Sequence, residues 1–390
     1  MLKFTLEITP LIMLLTGISV VITAILAYWF SHRYRVLRHY RHEEKTYSEE
    51  QPAVSVVMYT SNDAENIEKY LPIVLNQDYP KYEVIVVNDG YTDTTKDVLG
   101  EMEMKYPNLY QTFIPQNARF LSRKKLGLML GIKAAKYDYI LVSNTNCEPS
   151  GPEWINSMMR NFTEGIDVVI GYSTYDFGND KGNGRWYRSY EIVMNSGRWL
   201  AYAMSGKPYR GIGDNLAFRK KTFFDNNGFA NSINLHYGDD DIFVSEVARE
   251  DNTRVEMTPE GMVTSHYENI ADAHRELKLR HDFTEKFIRT SAFAETGAMS
   301  LLYYLDFALM VAIAAVGWAN ILNYVIALVL LLALTLPQII LYRVNARMLR
   351  MPRLFFSVPI FSLLRPVVNL YYKFVGHKRK DTNYTMYSPS

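Results

Sequence analysis

Three carboxylates stand side by side at Asp239, Asp240 and Asp241, behind Gly238 and ahead of the apolar Ile242-Phe243-Val244. Adjacent carboxylates repel one another, which raises the proton affinity of at least one. The pattern suits a general base or a charge-binding group; an acidic helix start uses the same residues. Asn88-Asp89-Gly90-Tyr91-Thr92-Asp93 offers a carboxylate able to accept hydrogen bonds from a nucleobase or ribose, in a composition that turns share. Ser122-Arg123-Lys124-Lys125 puts adjacent cations where a helix begins, able to hold a diphosphate or to face solvent. Ser143-Asn144-Thr145-Asn146-Cys147 carries two side-chain oxygens at i and i+2, but they are amides, much poorer ligands for Mg²⁺ or Mn²⁺ than carboxylates. His266, His274, Arg280 and His281 close the series. Arg280 and His281 could cover a phosphate, although basic residues near a membrane segment more usually face lipid headgroups.

Most of these clusters sit at predicted element ends. Val54 to Met58 reads as a buried strand, with Asn62 or Asp63 capping a helix through Leu75. Tyr82 to Val87 is a second strand and runs into the Asp89 cluster. Helices are predicted over Thr92 to Tyr106 and Gly127 to Lys136, and a strand over Tyr139 to Val142. Strands alternating with helices predict an α/β fold around a mostly parallel sheet. Ligands of such sheets sit beyond the carboxyl ends of the strands, where the clusters lie.

Long apolar runs flank this middle. Ile8 to Phe30 carries no charge and is long enough to span a bilayer core. Arg33, Arg35, Arg38 and Arg41 follow it and mark the cytoplasmic side. Leu301 to Trp318 and Ile321 to Tyr342, parted only by Ala319 and Asn320, predict a hairpin of crossing helices; Arg343, Arg347, Arg350 and Arg353 after it indicate the same orientation. Leu354 to Val375 is apolar but interrupted by Arg365-Pro366 and followed by His377, Lys378, Arg379 and Lys380, which favours an interfacial or re-entrant helix over a further span. The expected organisation is an N-terminal transmembrane helix in 1–31, a basic linker in 32–51, a cytoplasmic catalytic domain in 52–295, a transmembrane hairpin in 296–342, and a basic loop, interfacial helix and polar tail in 343–390.

Charge narrows the function. With 42 basic and 41 acidic residues the net charge is +1, which gives no field for nucleic acid. Cys147 is the one cysteine, so no intrachain disulfide forms, and no Cys/His metal spacing occurs. No GxGxxG follows the first strand, against a nicotinamide enzyme. Only Asp306 and Arg365 interrupt the apolar segments, too little for a transport path.

In combination and order, from about Gln51 to Arg289, the clusters resemble the family-2 glycosyltransferases, and most closely the bacterial membrane-bound branch with cellulose and hyaluronan synthases. VSVVMYTSNDAEN resembles the opening strand and turn, which implies Thr60 at the nucleotide. VIVVNDGYTDTT resembles the nucleotide motif, implying Asp89 as base or ribose ligand. SRKKLGLMLGIKAAKYDYILVSNTNC resembles the stretch from the diphosphate-side lysine to the metal motif, implying Lys124 and Lys125 at the diphosphate. YRGIGDNLAFRK implicates Gly213 and Asn215 on the acceptor side. GDDDIFV resembles the catalytic-base motif, with Asp240 as base and Asp239 its neighbour. LKLRH is similar to a reduced Gln-x-x-Arg-Trp motif, with Leu277, Arg280 and His281 at its marked positions. The resemblance implies a GT-A fold with membrane and interfacial helices at both ends. It also implies inverting transfer from a nucleotide-sugar, a UDP-sugar above all, to a glycan or lipid-linked acceptor in cell-envelope polysaccharide synthesis. A multi-pass protein of a bacterial inner membrane, in contact with its lipids, follows.

Two departures stand out. Asn144 and Asn146 replace both acids of the Asp-x-Asp motif that would hold Mg²⁺ or Mn²⁺, and the closing motif lacks its Gln and Trp. Lys124, Lys125 and Arg280 would then stabilise the leaving group. A degenerate, non-catalytic relative that binds a glycan or a partner glycosyltransferase is the alternative reading.

Overall fold

The computed structural model describes residues 8–40, 45–90, 92–115, 121–178, 182, 184–316, 318 and 320–377. Arg41, Tyr91, Ala319 and 378–390, with the basic residues read there, lie outside them, as do the side chains of Arg33, Arg35 and Arg38. The chain forms two compact units. One gathers Met1–His42, Trp186–Ala201 and Thr290–Tyr371; the other gathers Glu43–Arg185, Tyr202–Arg289 and Tyr372–Ser390.

The strands are β1 (Val54–Thr60), β2 (Tyr82–Asn88), β3 (Leu109–Phe113), β4 (Tyr139–Asn144), β5 (Cys147–Pro149), β6 (Val168–Ile170), β7 (Ser173–Tyr175), β8 (Leu216–Arg219), β9 (Thr253–Val255) and β10 (Val263–Ser265). The helices are α1 (Pro10–His39), α2 (Ala64–Leu75), α3 (Thr95–Lys105), α4 (Arg123–Ala134), α5 (Trp154–Met159), α6 (Arg185–Met204), α7 (Lys220–Asp225), α8 (Asp241–Val247), α9 (Ile270–Thr284), α10 (Ala292–Val316), α11 (Ile321–Met348) and α12 (Ser357–His377).

In the second unit a seven-stranded sheet runs β3-β2-β1-β4-β8-β6-β9, with β5-β10-β7 as a smaller sheet. In the seven-stranded sheet β8 is the antiparallel strand, against β4 and β6; in the smaller sheet β10 is antiparallel to β5 and parallel to β7. β-branched residues fill the central strands because both faces are covered; Val54, Val56, Val84, Val86 and Leu141 are fully buried. The strand order reverses between β1 and β4, which opens a crevice at their carboxyl ends. Thr60 pairs with Asn88, and Tyr59 with Asn144, so three of the clusters read from sequence share that edge. Helix α4 lies close against the sheet: a Cβ on Gly127 would stand 2.7 Å from Tyr59 and one on Gly131 2.5 Å from Val57. Asp63 is the N-cap of α2 but makes no capping bond. Its carboxylate accepts instead from Thr145 and from Asn66 at 2.7 Å.

The first unit is helical. Among the described residues, three helices are long and apolar enough to cross a membrane: Pro10–His32, Ala292–Val316 and Ile321–Met348. α1, α10 and α11 pack through Ile12, Leu26, Ile313 and Leu334, while Leu14, Val21, Leu301 and Val329 face outward. Helix α12 is not among the three. Arg365-Pro366 does not break it; it runs unbroken from Ser357 to His377. Proline inside a helix frees a turn of backbone from its own bonding, and Tyr304 donates to the Leu363 carbonyl in that turn at 2.5 Å. Arg365 holds the buried Glu191 of α6 at 3.1 Å.

Asp306 is fully buried in α10, where it accepts from Ser19 at 2.6 Å and Thr23 at 2.7 Å on α1. Hydrogen bonds between membrane helices contribute about 0.6–2 kcal/mol each. Asp306→Ala is therefore expected to lower unfolding stability in detergent by about 1–2 kcal/mol, with Asp306→Asn keeping much of it. An unchanged unfolding midpoint for the alanine variant would show that the clamp does not tie α1 to α10.

Candidate functional site

The acidic run is built around a glycine turn. Gly238 has φ +99°, a conformation a side chain rarely adopts, and it turns the chain into α8 with the three acids in succession. Asp240 is the N-cap: one carboxylate oxygen accepts from the Asp241 N–H at 2.7 Å, and the other from the Gly213 N–H at 2.9 Å. Gly213 comes close to both acids, since a Cβ there would stand 3.4 Å from Asp239 and 3.5 Å from Asp240. Arg280 of α9 pairs with Asp240 and reaches Asp239 at 3.3 Å. Lys124 of α4 meets the other Asp239 oxygen at 2.8 Å. Burial pushes the Asp239 carboxyl up, but the charges of Lys124 and Arg280 outweigh it and hold the group well below the usual carboxylate range. Asp241 goes the other way. Burial and the neighbouring Asp240 charge push it up to about 6, against Arg210, whose Nε stands 3.6 Å away, and Arg280. Thr284 donates to the same carboxylate, which lies beneath the pair.

Asp89 caps β2 and is held by Arg123, whose Nε lies 2.8 Å from each oxygen, and by the Tyr59 hydroxyl at 2.7 Å. Burial and the Asp89 charge push Tyr59 well up, so it remains a donor. Thr60 is buried, and its hydroxyl has no hydrogen-bond partner among the described residues. The cation run does not act as a block. Arg123 serves Asp89 and Lys124 serves Asp239, whereas Lys125 is fully buried and donates to the carbonyls of Ser232 at 2.5 Å and Tyr237 at 2.8 Å. Burial pushes Lys125 down to about 8, against the attraction of Asp239. This placement corrects its assignment as a diphosphate ligand: it ties α4 to the loop ahead of the acids. Asn215 is likewise engaged in structure, bonding the Tyr172 and Gly261 carbonyls and the Trp154 indole, at 2.8–3.1 Å.

Beside the acids lies a cleft of about 650 Å³, lined by Asp63, Asn146, Tyr175, His266, Tyr267 and Arg280, among others. His281, one residue past Arg280, is not in its wall. Tyr175 and Tyr267 stack at 5.7 Å and offer an aromatic face to a base or sugar. His266 sits between Glu148 at 2.8 Å and Asp176 at 3.2 Å, stacked on Tyr70, so its place is in the cleft and not at lipid headgroups.

The Asn pair does not form a divalent-ion site. Asn144 donates its amide to Asp214 at 2.5 Å, and Asn146 donates to the His266 carbonyl at 2.8 Å. The second Asp214 oxygen accepts from Ser265. Among the described residues no group of three or more His, Cys, Asp or Glu side chains is placed to hold a metal ion. The donor set therefore does not fit Mg²⁺ or Mn²⁺, which want carboxylate or water oxygens. Asp214 escaped the sequence reading, as did the Glu148 and Asp176 partners of His266; Asp63 was read only as a helix cap. Asp214 stood between the noted Gly213 and Asn215, and was the one carboxylate in that motif.

Residues 55–229 match the family described as Glycosyl transferase family 2. Glycosyltransferase AglE of Haloferax volcanii is 31% identical over 133 residues, which cover 33% of this chain and 41% of that protein. A poly-beta-1,6-N-acetyl-D-glucosamine synthase of Staphylococcus epidermidis is 27% identical over 88 residues, 23% of this chain and 20% of the synthase. The matches thus span less than half the length of these relatives. Among solved structures, the mannosyltransferase PcManGT from Pyrobaculum calidifontis, in complex with GDP-Man and Mn²⁺, aligns with a TM-score of 0.58 at 19% identity, covering 92% of this chain and 99% of that one. At that identity the shared property is the fold, and it is the expected GT-A type.

Proposed function

We propose that this chain, which carries a glycosyl transferase family 2 domain, transfers a sugar from a nucleotide-activated donor to a hydroxyl acceptor by a single inverting displacement. The carrying observation is the Asp239-Asp240 pair, fixed by the Gly213 N–H, Arg280 and Lys124 beside a cleft with an aromatic wall. Asp240 takes the acceptor proton. The freed oxygen attacks the anomeric carbon, and the nucleoside diphosphate leaves. Asp89 and Thr60 lie toward the nucleotide, and UDP is the nucleotide proposed. Lys124 and Arg280, both part-exposed, turn from the acids to the leaving diphosphate and stabilise its charge. Asn144 and Asn146 take no part in holding a metal. Three helices long and apolar enough to cross a membrane support a membrane protein, and Arg343, Arg347, Arg350 and Arg353 around the end of α11 favour a cytoplasmic catalytic unit.

One observation favours a second reading. Both Asn side chains have become structural links, as expected of a relative that keeps the fold and binds without transfer. Release of nucleoside diphosphate from a panel of UDP- and GDP-sugars by membrane vesicles bearing the full chain, with lipid and oligosaccharide acceptors, separates the two. The transferase reading predicts acceptor-dependent release from at least one donor. Binding without release from any donor would establish the second reading.

A further inference from the structure

The helical unit contains a cavity unlike its apolar surroundings. It measures about 70 Å³ and lies among α1, α6, α10 and α12, with Trp29, Arg198, Ser300, Ser362, Arg365 and Asn369 in its wall. Two of these are arginines, and their partners differ. Arg365 has the carboxylate of Glu191. Among the described residues Arg198 has neutral partners: Thr296 and Asn195, each at 3.3 Å, and the Phe293 ring. Its Nε is buried and has no partner among the described residues. The Trp29 indole of the wall donates to Glu295, so the two guanidinium groups stand among two carboxylates, Glu191 and Glu295, and the donor left unsatisfied here is the buried Arg198 Nε. A buried donor without a partner is costly.

A smaller cavity of about 10 Å³ shares Phe30, Met194 and Ser362 with the first. Asn345, fully buried, lines it with both amide atoms unpartnered among the described residues. The polar lining of the larger space therefore continues inward, and the Arg198 Nε and the Asn345 amide have no partner among the described residues.

Depth along the helices says what could complete the site. Trp29 lies near the end of the apolar span Pro10–His32, and Thr296 and Ser300 lie near the start of the span Ala292–Val316. The cavity thus stands at the end of two candidate membrane spans, at the level where indole rings and lipid headgroups meet. Guanidinium forks match phosphate oxygens. Basic pockets between membrane helices are suited to phosphate-bearing head groups.

We propose that the helical unit binds a phosphate-bearing membrane lipid, its phosphate seated between Arg198 and Arg365 and its chains on the outward apolar faces of α1 and α10. The proposal does not depend on the transferase reading. The test is equilibrium binding of a fluorescent phosphatidic acid to the detergent-purified full chain. Diacylglycerol with the same chains and inorganic phosphate serve as competitors. The site predicts saturable binding, displacement by unlabelled phosphatidic acid but not by diacylglycerol, and affinity lowered at least about tenfold in Arg198→Gln. Arg198→Lys is expected to restore part of the loss. Equal affinity in Arg198→Gln, or equal competition by diacylglycerol, would overturn it. Displacement by millimolar inorganic phosphate alone would show a free-anion site and overturn the lipid assignment. The competition arms use the unaltered protein, so a variant that fails to fold leaves the test standing.

Discussion

Asp240→Asn is expected to lower sugar transfer by about 10²- to 10⁴-fold, the range a positioned general base contributes, while nucleotide binding stays unchanged. The substitution is nearly isosteric. Asn is as good an N-cap as Asp, so its oxygen can still accept from the Asp241 N–H that Asp240 now holds. Arg280 keeps Asp239 as a partner. What is lost is a carboxylate able to accept a proton and, with its second oxygen, the acceptor of the Gly213 N–H. Leaving that donor unpaired costs about 1–3 kcal/mol of stability, so the comparison is made on folded protein: measured by acceptor-dependent sugar incorporation, the loss should fall on kcat. Full transfer by the variant would remove Asp240 as the base and move attention to Asp239.

Arg280→Ala is expected to reduce kcat by about 10²- to 10³-fold, the magnitude found when one electrostatic stabiliser is removed. The residue has two tasks in this account. It neutralises the acid pair, lying against Asp240 and 3.3 Å from Asp239, and it offers charge to the leaving diphosphate. Its charge is among those that hold the Asp239 carboxyl below the usual range, second to Lys124. Without it the Asp239 carboxyl rises, so an acidic limb of the kcat/KM profile carried by Asp239 should move to higher pH. Arg280→Lys should recover part of the rate and most of the pH position. A profile that does not move in the alanine variant would mean that Arg280 does not set the ionisation of Asp239.

Much of the fold was legible because β-branched runs in a two-face-covered sheet are hard to mistake. VSVVMYT, YEVIVVN and YILVSN became β1, β2 and β4, and their polar ends share one edge. The helical unit was only partly legible. Trp186–Ala201 belongs to it although no long apolar run marks that stretch, since a mixed sequence can still bury one face of a helix. In the site, the Gly-Asp-Asp-Asp run announced itself through like charges in succession. Lys125 did not, because neighbouring helix positions point about 100° apart and a run of cations looks the same whether or not one turns inward. His266 was read by its distance in sequence from the membrane segment, whereas β10 pairing with β5 and β7 carries it into the cleft. The direction of the Asn144 and Asn146 amides depended on Asp214 and the His266 carbonyl, partners far along the chain that spacing does not reveal.

The central claim is a nucleotide-sugar site whose charge is balanced by side chains in place of a metal. The most direct test is calorimetric titration of the detergent-purified full chain with UDP, once in EDTA and once in Mn²⁺. The account predicts binding of similar affinity in both, lost from either when Lys124 and Arg280 are removed together. Binding that appears only with Mn²⁺ would contradict it, and would show that Asn144, Asn146 and Asp214 rearrange into an ion site after all.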